Sequence, residues 1–294
     1  MIAFEYIEPE SLEEALALLE QHGEDAKVLA GGTGLVNLMK QRLVQPTYLI
    51  GLRRLAHSPE LAEIRPNGGL TIGALCSHRT VETSALIQHR LPLLATTFQH
   101  VASVRIRTAA TIGGSLAHAD PNQDPPPALL VLDARLRVQS THGEREIDLN
   151  DFFVDYYETA LEPEELITTV VIPPQPTGAG TAFSKFLPQT HDDYATVAVA
   201  ARISLDGDTI AHARIALGAA AATPLRAKAV ETALQGQTPT PKLMRDAAAL
   251  VAEEVDPLAD FRGSAEYKRD MAVVFTQRTI GQAVTRAREA SGNG

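Results

Sequence analysis

Two glycine pairs carry most of the chemistry that this sequence offers. Lys27, Val28, Leu29 and Ala30 read as a short strand that runs straight into Gly31-Gly32-Thr33-Gly34. Leu35 then opens a stretch with Leu38 and Met39 at helical spacing. Further on, Thr111-Ile112-Gly113-Gly114-Ser115 repeats the pattern of a glycine pair beside a hydroxyl. Glycine lets the backbone take positive φ and approach a ligand with no Cβ in the way. Successive N–H groups can then converge on an anion, helped by the hydroxyls of Thr33, Thr111 and Ser115. A helix opening after Gly34 would add its positive end. Two such loops could hold a diphosphate with few basic residues. The alternative is a pair of tight turns. A dinucleotide fingerprint fits poorly: Asn37 stands at the third glycine position, and about twenty residues on, near Leu52, there is no acid to meet a ribose.

Around these loops stand side chains with two readings each. His118 could donate to a phosphate oxygen or be a structural loop histidine. Asp120 suits a turn, and Asp124, just before Pro125-Pro126-Pro127, suits the N-cap of a helix over 125–132. Alternation along Ala-Phe-Ser-Lys-Phe-Leu turns Lys185 outward, and Tyr194 begins an apolar strand where a core aromatic would fit. Arg105 and Arg107 precede the second loop and could approach phosphate or, more in keeping with their type, form surface ion pairs with acids. Tyr156 and Tyr157 follow Phe152-Phe153 and suit packing. No His/Cys/Asp cluster has metal-ligand spacing, and no nucleophile–base set is visible.

The elements that must position these residues alternate. Ser11 and Glu14 form an S-x-x-E box before Leu12, Ala15, Leu16 and Leu19, and Gly23 stops that helix. Strands are expected over 48–52 and 70–75, helices over 81–89 and 92–103, and an ordered loop from Arg105 through Asp124. A helix over 125–132, a hairpin over 135–149 turning at His142-Gly143, and a strand over 166–173 complete this part. Pro and Gly in 173–180 break both periodicities and mark a boundary. Beyond it come three strands, the last two joined at Asp206-Gly207. Three helices follow, over 224–234, 241–255 and 265–288, and the terminal Ser-Gly-Asn-Gly is expected to fray.

Composition narrows the class. The chain has 294 residues, enough for two domains with their own cores, and a formal net charge of −10 without a basic stripe, which argues against nucleic acid. The first residues lack a secretory pattern, and no run approaches the ~18 apolar residues of a membrane span. A cytoplasmic location is expected. The single cysteine, Cys76, permits no intrachain disulfide and no cluster that needs about four thiolates. It reads as a core residue at a strand end.

Residues 27–43 together with 106–134 resemble the FAD-binding medium subunits of molybdenum hydroxylases. The Thr-Ile-Gly-Gly-x₆-Pro-x₂-Asp pattern is the more specific part, and the similarity extends over nearly the whole chain. The resemblance implies an α+β chain: an FAD-binding fold of two α/β subdomains (PCMH type) over 1–176, then a C-terminal domain of three antiparallel strands and a helix bundle over 177–290. It implies that FAD lies between the two subdomains and the C-terminal domain. Ala30 to Leu35 and Thr111 to Ser115 would hold the diphosphate, flanked by Lys27, Val28, Leu29, Ala110 and His118. Asp124 would meet the ribityl or sugar hydroxyls, with Ala119, Asp120 and Pro121 alongside. Lys185 would lie near the flavin carbonyl edge, and Tyr194 over the isoalloxazine. Thr108-Ala109-Ala110 replaces a common Asn-Arg-Gly, and Ser115 replaces a common Asn, so the fine contacts differ.

The implied role is electron transfer, with no catalytic residue of this chain's own. FAD would take electrons from iron–sulfur clusters and deliver them to an external acceptor. Expected partners are a molybdopterin-binding large subunit and a two-cluster iron–sulfur small subunit, in a dimer of heterotrimers. Peripheral association with the inner membrane face stays open. Two other classes remain: a self-sufficient FAD-dependent oxidase or reductase, and a non-catalytic nucleotide-binding module.

Overall fold

A computed structural model describes residues 2–187, 190 and 192–292. Residues pack into two compact units whose segments interleave along the chain: Met1–Val81, Ser103–Ala119 and Ala134–Ile172 form the first, and Glu82–Ala102, Asp120–Asp133 and Pro173–Gly294 the second.

The first unit holds two principal sheets besides a two-stranded pair, Phe153–Asp155 with Glu158–Thr159. In the smaller, Glu5–Ile7, Tyr48–Gly51 and Ala26–Leu29 run parallel, with Tyr48–Gly51 in the middle. Parallel neighbours need crossovers. The helix Leu12–His22 provides one, capped by Ser11, whose hydroxyl accepts from the Glu14 N–H at 3.1 Å, and ended at Gly23 with φ +49°. Glu14 accepts from the Glu10 N–H at 2.7 Å rather than from Ser11, so the box closes one residue early. Ala15, Leu16 and Leu19 meet Ala26, Ile50, Leu52 and Leu55 in one core.

The larger sheet is antiparallel, ordered Ile64–Asn67, Gly69–Gly73, Leu166–Ile172, Arg135–Ser140, Gly143–Asp148. Its central strand, LITTVVI, is buried at every position but Val171, which explains an apolar run where a half-buried strand would alternate. The strand Ile64–Asn67 is an addition to the expected elements; it turns into Gly69–Gly73 at Gly68, φ +66°.

Residues 103–119 differ from the ordered loop expected. They form two short helices, Val104–Ala109 and Ile112–His118. The stretch is too rich in small residues to show periodicity, but Thr111 caps the second helix by accepting from the Gly114 N–H at 3.2 Å. Ile112 and Leu116, one turn apart, are fully buried. The expected helix over 81–89 is likewise two, His78–Thr83 and Ala85–Arg90, divided where Ser84 caps the latter. The one over 92–103 stops at Gln99.

The second unit is built on an antiparallel sheet ordered Gly180–Phe186, Val197–Asp206, Thr209–Gly218, Leu225–Arg226, the last a two-residue addition to the three strands expected. Asp206-Gly207 makes the hairpin turn, with Gly207 at φ +55°. Helix Ala265–Gly292 packs on the sheet through Ala272, Ile280, Ala283 and Val284. At Gly180 a Cβ would collide with the Ala283 carbonyl, so strand and helix approach this closely only with glycine. The helix expected over 224–234 begins at Lys228, and that over 241–255 runs Pro241–Ala249 before a 3₁₀ turn, Leu250–Glu253. The long helix continues to Gly292 rather than fraying at Ser291, while Asn293 and Gly294 lie outside the described residues. Among the described residues no helix is long and apolar enough to cross a membrane.

Candidate cofactor-binding site

In the first unit the fold brings the two glycine-pair segments into contact. Strand Ala26–Leu29 leads into Gly31, where a Cβ would overlap the Ala109 carbonyl oxygen and crowd Ala110 Cα. A Cβ on Gly114 would lie 3.3 Å from Ala30 Cβ and 2.8 Å from Thr111 Oγ1, and one on Gly113 2.6 Å from Ala74 Cβ. Glycine is therefore required at Gly31 by the approach of one backbone to another. Of the five glycines in the two motifs, only Gly32 takes positive φ, at +71°. The expectation of left-handed glycines in the second loop is corrected: Gly113 and Gly114 form the first turn of helix Ile112–His118.

The two segments also differ in the donors they leave open. Ile112 N–H donates to the Cys76 carbonyl, Gly113 N–H to Ala74, Gly114 N–H to the Thr111 hydroxyl and Ser115 N–H to the Thr111 carbonyl. The Ser115 hydroxyl donates to the Ile112 carbonyl at 3.1 Å. The donors of the second segment are thus engaged, half of them by the strand-end turn at Ala74 and Cys76. By contrast, the N–H groups of Gly31, Gly32, Thr33 and Gly34 donate to no acceptor among the described residues. Helix Leu35–Gln41 follows at once, and Asn37, the residue that breaks the dinucleotide fingerprint, donates from Nδ2 to the Thr33 carbonyl at 3.0 Å and fixes the loop.

His118 closes this group. Its Nε2 lies 2.6 Å from where a Gly34 Cβ would be, and its ring meets the Tyr157 ring edge-on at 5.3 Å. Ala119, at φ +50°, accepts through its carbonyl from the Tyr157 N–H at 3.3 Å. Lys27 and Val28 pair with Leu49 and Ile50 in the parallel sheet; Lys27 is exposed, while Val28 and Leu29 are half-buried. Ala110 is buried and its carbonyl accepts from the His78 N–H at 2.9 Å. Arg105 lies exposed on helix Val104–Ala109. Cys76 is buried, which pushes its thiol up to about 11 and leaves it a packing residue.

The second unit carries the other candidates. Asp124 occupies the N-cap position of helix Pro125–Val131 but makes no capping bond, because the prolines that follow have no N–H to offer. Its Oδ2 instead accepts from Lys185 Nζ at 2.7 Å, with both side chains almost wholly buried. Lys185, expected to point outward, also donates to the His100 carbonyl at 2.9 Å. Asp124 Oδ1 is buried with no hydrogen-bond partner. Burial pushes the Asp124 carboxyl up to about 6, against the downward pull of Lys185. Asp120, expected to be a turn residue, accepts through Oδ1 from the backbone and side-chain N–H of Asn122, both at 3.0 Å. Tyr194 is 44% exposed rather than in the core, and its N–H donates to Asp193 Oδ1 at 2.7 Å.

Two contributors escaped the sequence reading. The His100 carbonyl has no sequence signature. Arg262 donates to Asp193 at 2.9 Å from 69 residues away, and only the charge complement of Asp192-Asp193 with Arg262 hinted at it. Each unit taken by itself carries a feature that fits part of a nucleotide-type cofactor. A run of unengaged N–H groups suits an anion, and a buried carboxylate oxygen without a partner suits a ligand hydroxyl.

Comparison with known proteins agrees. Residues 2–175 match the model described as FAD binding domain in molybdopterin dehydrogenase, and residues 182–283 the CO dehydrogenase flavoprotein C-terminal domain. The chain is 37% identical over 288 residues to the 6-hydroxypseudooxynicotine dehydrogenase complex subunit alpha of Paenarthrobacter nicotinovorans, covering 97% of this chain and 96% of that one. It is 37% identical over 284 residues to the carbon monoxide dehydrogenase medium chain of Hydrogenophaga pseudoflava, covering 96% and 98%. A solved carbon monoxide dehydrogenase from the same organism superposes with TM-score 0.93 at 38% identity, over 97% of this chain and 99% of the other. Quinoline 2-oxidoreductase from Pseudomonas putida 86 gives 0.90 at 34%, over 98% of each.

Proposed function

Because this chain belongs to the family of FAD-binding medium subunits of molybdenum hydroxylases, we propose that it receives electrons from iron–sulfur clusters on a partner and passes them through FAD to an external acceptor. FAD, when bound, supplies a carrier that handles electrons singly or in pairs. This chain's residues bind and orient it. The unengaged N–H groups of Gly31 to Gly34 are assigned to the diphosphate, with His118 beside Gly34 and the helix at Thr111 to Ser115 bracing the loop. Asp124 is assigned to a ligand hydroxyl through Oδ1, and Tyr194 to the isoalloxazine. We assign the first role to a domain over 1–176 and place the second domain over 177–290. With one cysteine, the chain leaves clusters to another subunit. A molybdopterin-binding large subunit and a two-cluster small subunit, paired as a dimer of heterotrimers, complete the proposal.

The single observation that carries the binding reading is the run of four consecutive N–H groups without acceptors, held against the second glycine pair. Titration of the flavin-free protein with FAD and with riboflavin tests it. FAD is expected to bind one per chain, and riboflavin, which lacks the diphosphate, to bind at least tenfold more weakly, on the order of the 1.4 kcal/mol that a tenfold difference represents. Equal affinity would remove the diphosphate from these loops. Bleaching of the bound flavin by an organic substrate, with no partner present, would favour the self-sufficient enzyme.

A further inference from the structure

Beside Tyr194 lies a construction that the cofactor reading leaves unused. Arg262, 11% exposed at its side chain, donates from Nη2 to Asp193 Oδ1 at 2.9 Å and from Nη1 to Asp260 Oδ2 at 3.3 Å. Asp193 Oδ1 is the same atom that accepts the Tyr194 N–H. The guanidinium carbon lies 5.7 Å from the centroid of the Tyr194 ring and 4.2 Å from that of Phe261. Beneath it, buried Lys268 reaches Asp260 Oδ1 and the Leu258 carbonyl, each at 2.8 Å. Asp260 and Gly263 pair their backbones, both bonds at 3.1 Å, so the Arg262 turn is closed on itself. The two cations are largely buried, the side chains of Asp193 and Asp260 are 29% and 31% exposed, and the two rings stand in solvent, Tyr194 at 44% and Phe261 at 72%.

A surface turn with no task has no need of two inward-facing cations and two carboxylates, since most exposed ion pairs contribute little to stability. A guanidinium lying against two aromatic rings and bonded to two carboxylates does have one evident effect. It fixes the rings, because its planar fork cannot rotate without breaking a hydrogen bond. We infer that Arg262 is a positioning residue that holds the Tyr194 ring in the pose from which it covers the flavin, with Phe261 displayed against the same cation. The functional part of this inference rests on the reading that Tyr194 lies over the isoalloxazine; the structural part does not.

The test separates the two. The full chain is labelled with 3-fluorotyrosine, and the Tyr194 signal is assigned by its loss in Tyr194→Phe. Arg262→Met, which keeps an unbranched apolar stem but neither the charge nor the fork, is expected to shift and sharpen that signal as the ring gains freedom. Arg262→Lys keeps the charge but not the planar fork, and is expected to fall between. Asp260→Ala removes one of the two anchors and gives a smaller shift in the same direction, which serves if Arg262→Met does not fold. A Tyr194 signal unmoved in all three variants overturns the inference. With FAD bound, fluorescence of the flavin reports on the tyrosine, because a stacked phenol quenches it by electron transfer and a phenyl ring does not. Tyr194→Phe is expected to raise that fluorescence several-fold, and Arg262→Met to raise it part of the way. If Tyr194→Phe leaves it unchanged while Arg262→Met still moves the ring signal, the placement of Tyr194 over flavin is wrong, and the functional part falls with that premise.

Discussion

Asp124 and Lys185 form a buried pair whose balance sets a pH dependence. Burial raises the Asp124 carboxyl from 3.8 to about 6, so the folded chain holds this proton more tightly than the unfolded chain. Stability from this group is therefore fully present below the ordinary carboxylate value and is lost as pH rises through the folded one. Its span is about 3 kcal/mol across the window. Asp124→Asn should flatten that slope in denaturant titrations run below and above the window. Lys185→Met should move the slope to higher pH, because it takes away the one cation that pulls the carboxyl down. It should also destabilise the protein near neutrality by about 3–5 kcal/mol, the usual loss when one partner of a buried pair is removed. If Lys185→Met leaves slope and stability unchanged, the pair is not formed as described. The glycines make a second, ordered set. Gly31→Ala drives a Cβ into the Ala109 carbonyl, which is backbone and cannot turn aside. Gly114→Ala meets the Thr111 hydroxyl, a side chain that can rotate at the loss of its cap bond, about 1 kcal/mol. Thermal melts should therefore show Gly31→Ala as clearly the more damaging. The reverse order would mean that the two segments do not touch.

Elements show the same logic one level up. On the second-unit sheet, Arg202 and Arg214 stand directly opposite each other on neighbouring strands, a like-charge pairing that ordinarily destabilises a sheet. Asp133 makes it tolerable. It follows the buried helix Pro125–Val131, takes φ +53°, and accepts from Arg202 at 2.5 Å, Arg214 at 3.2 Å and Arg226 at 3.4 Å. Burial alone would raise the Asp133 carboxyl, yet hydrogen bonding to Arg202 and the charges of Arg202 and Arg214 hold it below the usual range. Asp133→Ala should cost about 2 kcal/mol, less than for a fully buried ion pair because the carboxylate is partly in water, and added salt should recover part of it. A loss that salt does not touch would point to backbone strain instead. Elements of this kind were unevenly legible in the sequence. The helix from Leu12, the strand from Leu166 and the hairpin at Asp206-Gly207 announce themselves because each has a strong local cause: a cap, an apolar run, a turn dipeptide. Residues 103–119 did not, since their helices depend on Ile112 and Leu116 finding a core and on Gly113 lying against Ala74. The candidate site was legible where chemistry is local, as at Gly31 to Gly34. It was not where partners are remote, as for Arg262 with Asp193 or Lys185 with the His100 carbonyl.

For the whole molecule the decisive quantity is one cysteine in 294 residues. The family to which the chain belongs couples flavin to molybdenum chemistry, and one cysteine is too few for a thiolate-held cluster in this sequence. Among the described residues no group of three or more His, Cys, Asp and Glu is placed to hold a metal. On the proposed function, electrons enter from another chain that brings its own thiolates, roughly eight for two clusters. Affinity purification of the tagged protein from its native host, followed by mass spectrometry and metal analysis, should recover a small cysteine-rich chain with iron and acid-labile sulfide, and a large chain with molybdenum. Iron should track the small chain on dissociation, and flavin should track this one. Gly32→Val, which places a branched side chain at φ +71° among Leu29 and Val36, should remove flavin from the complex while iron and molybdenum stay. Flavin recovered at full stoichiometry from that variant, or iron that follows this chain, would require a different division of cofactors among the subunits.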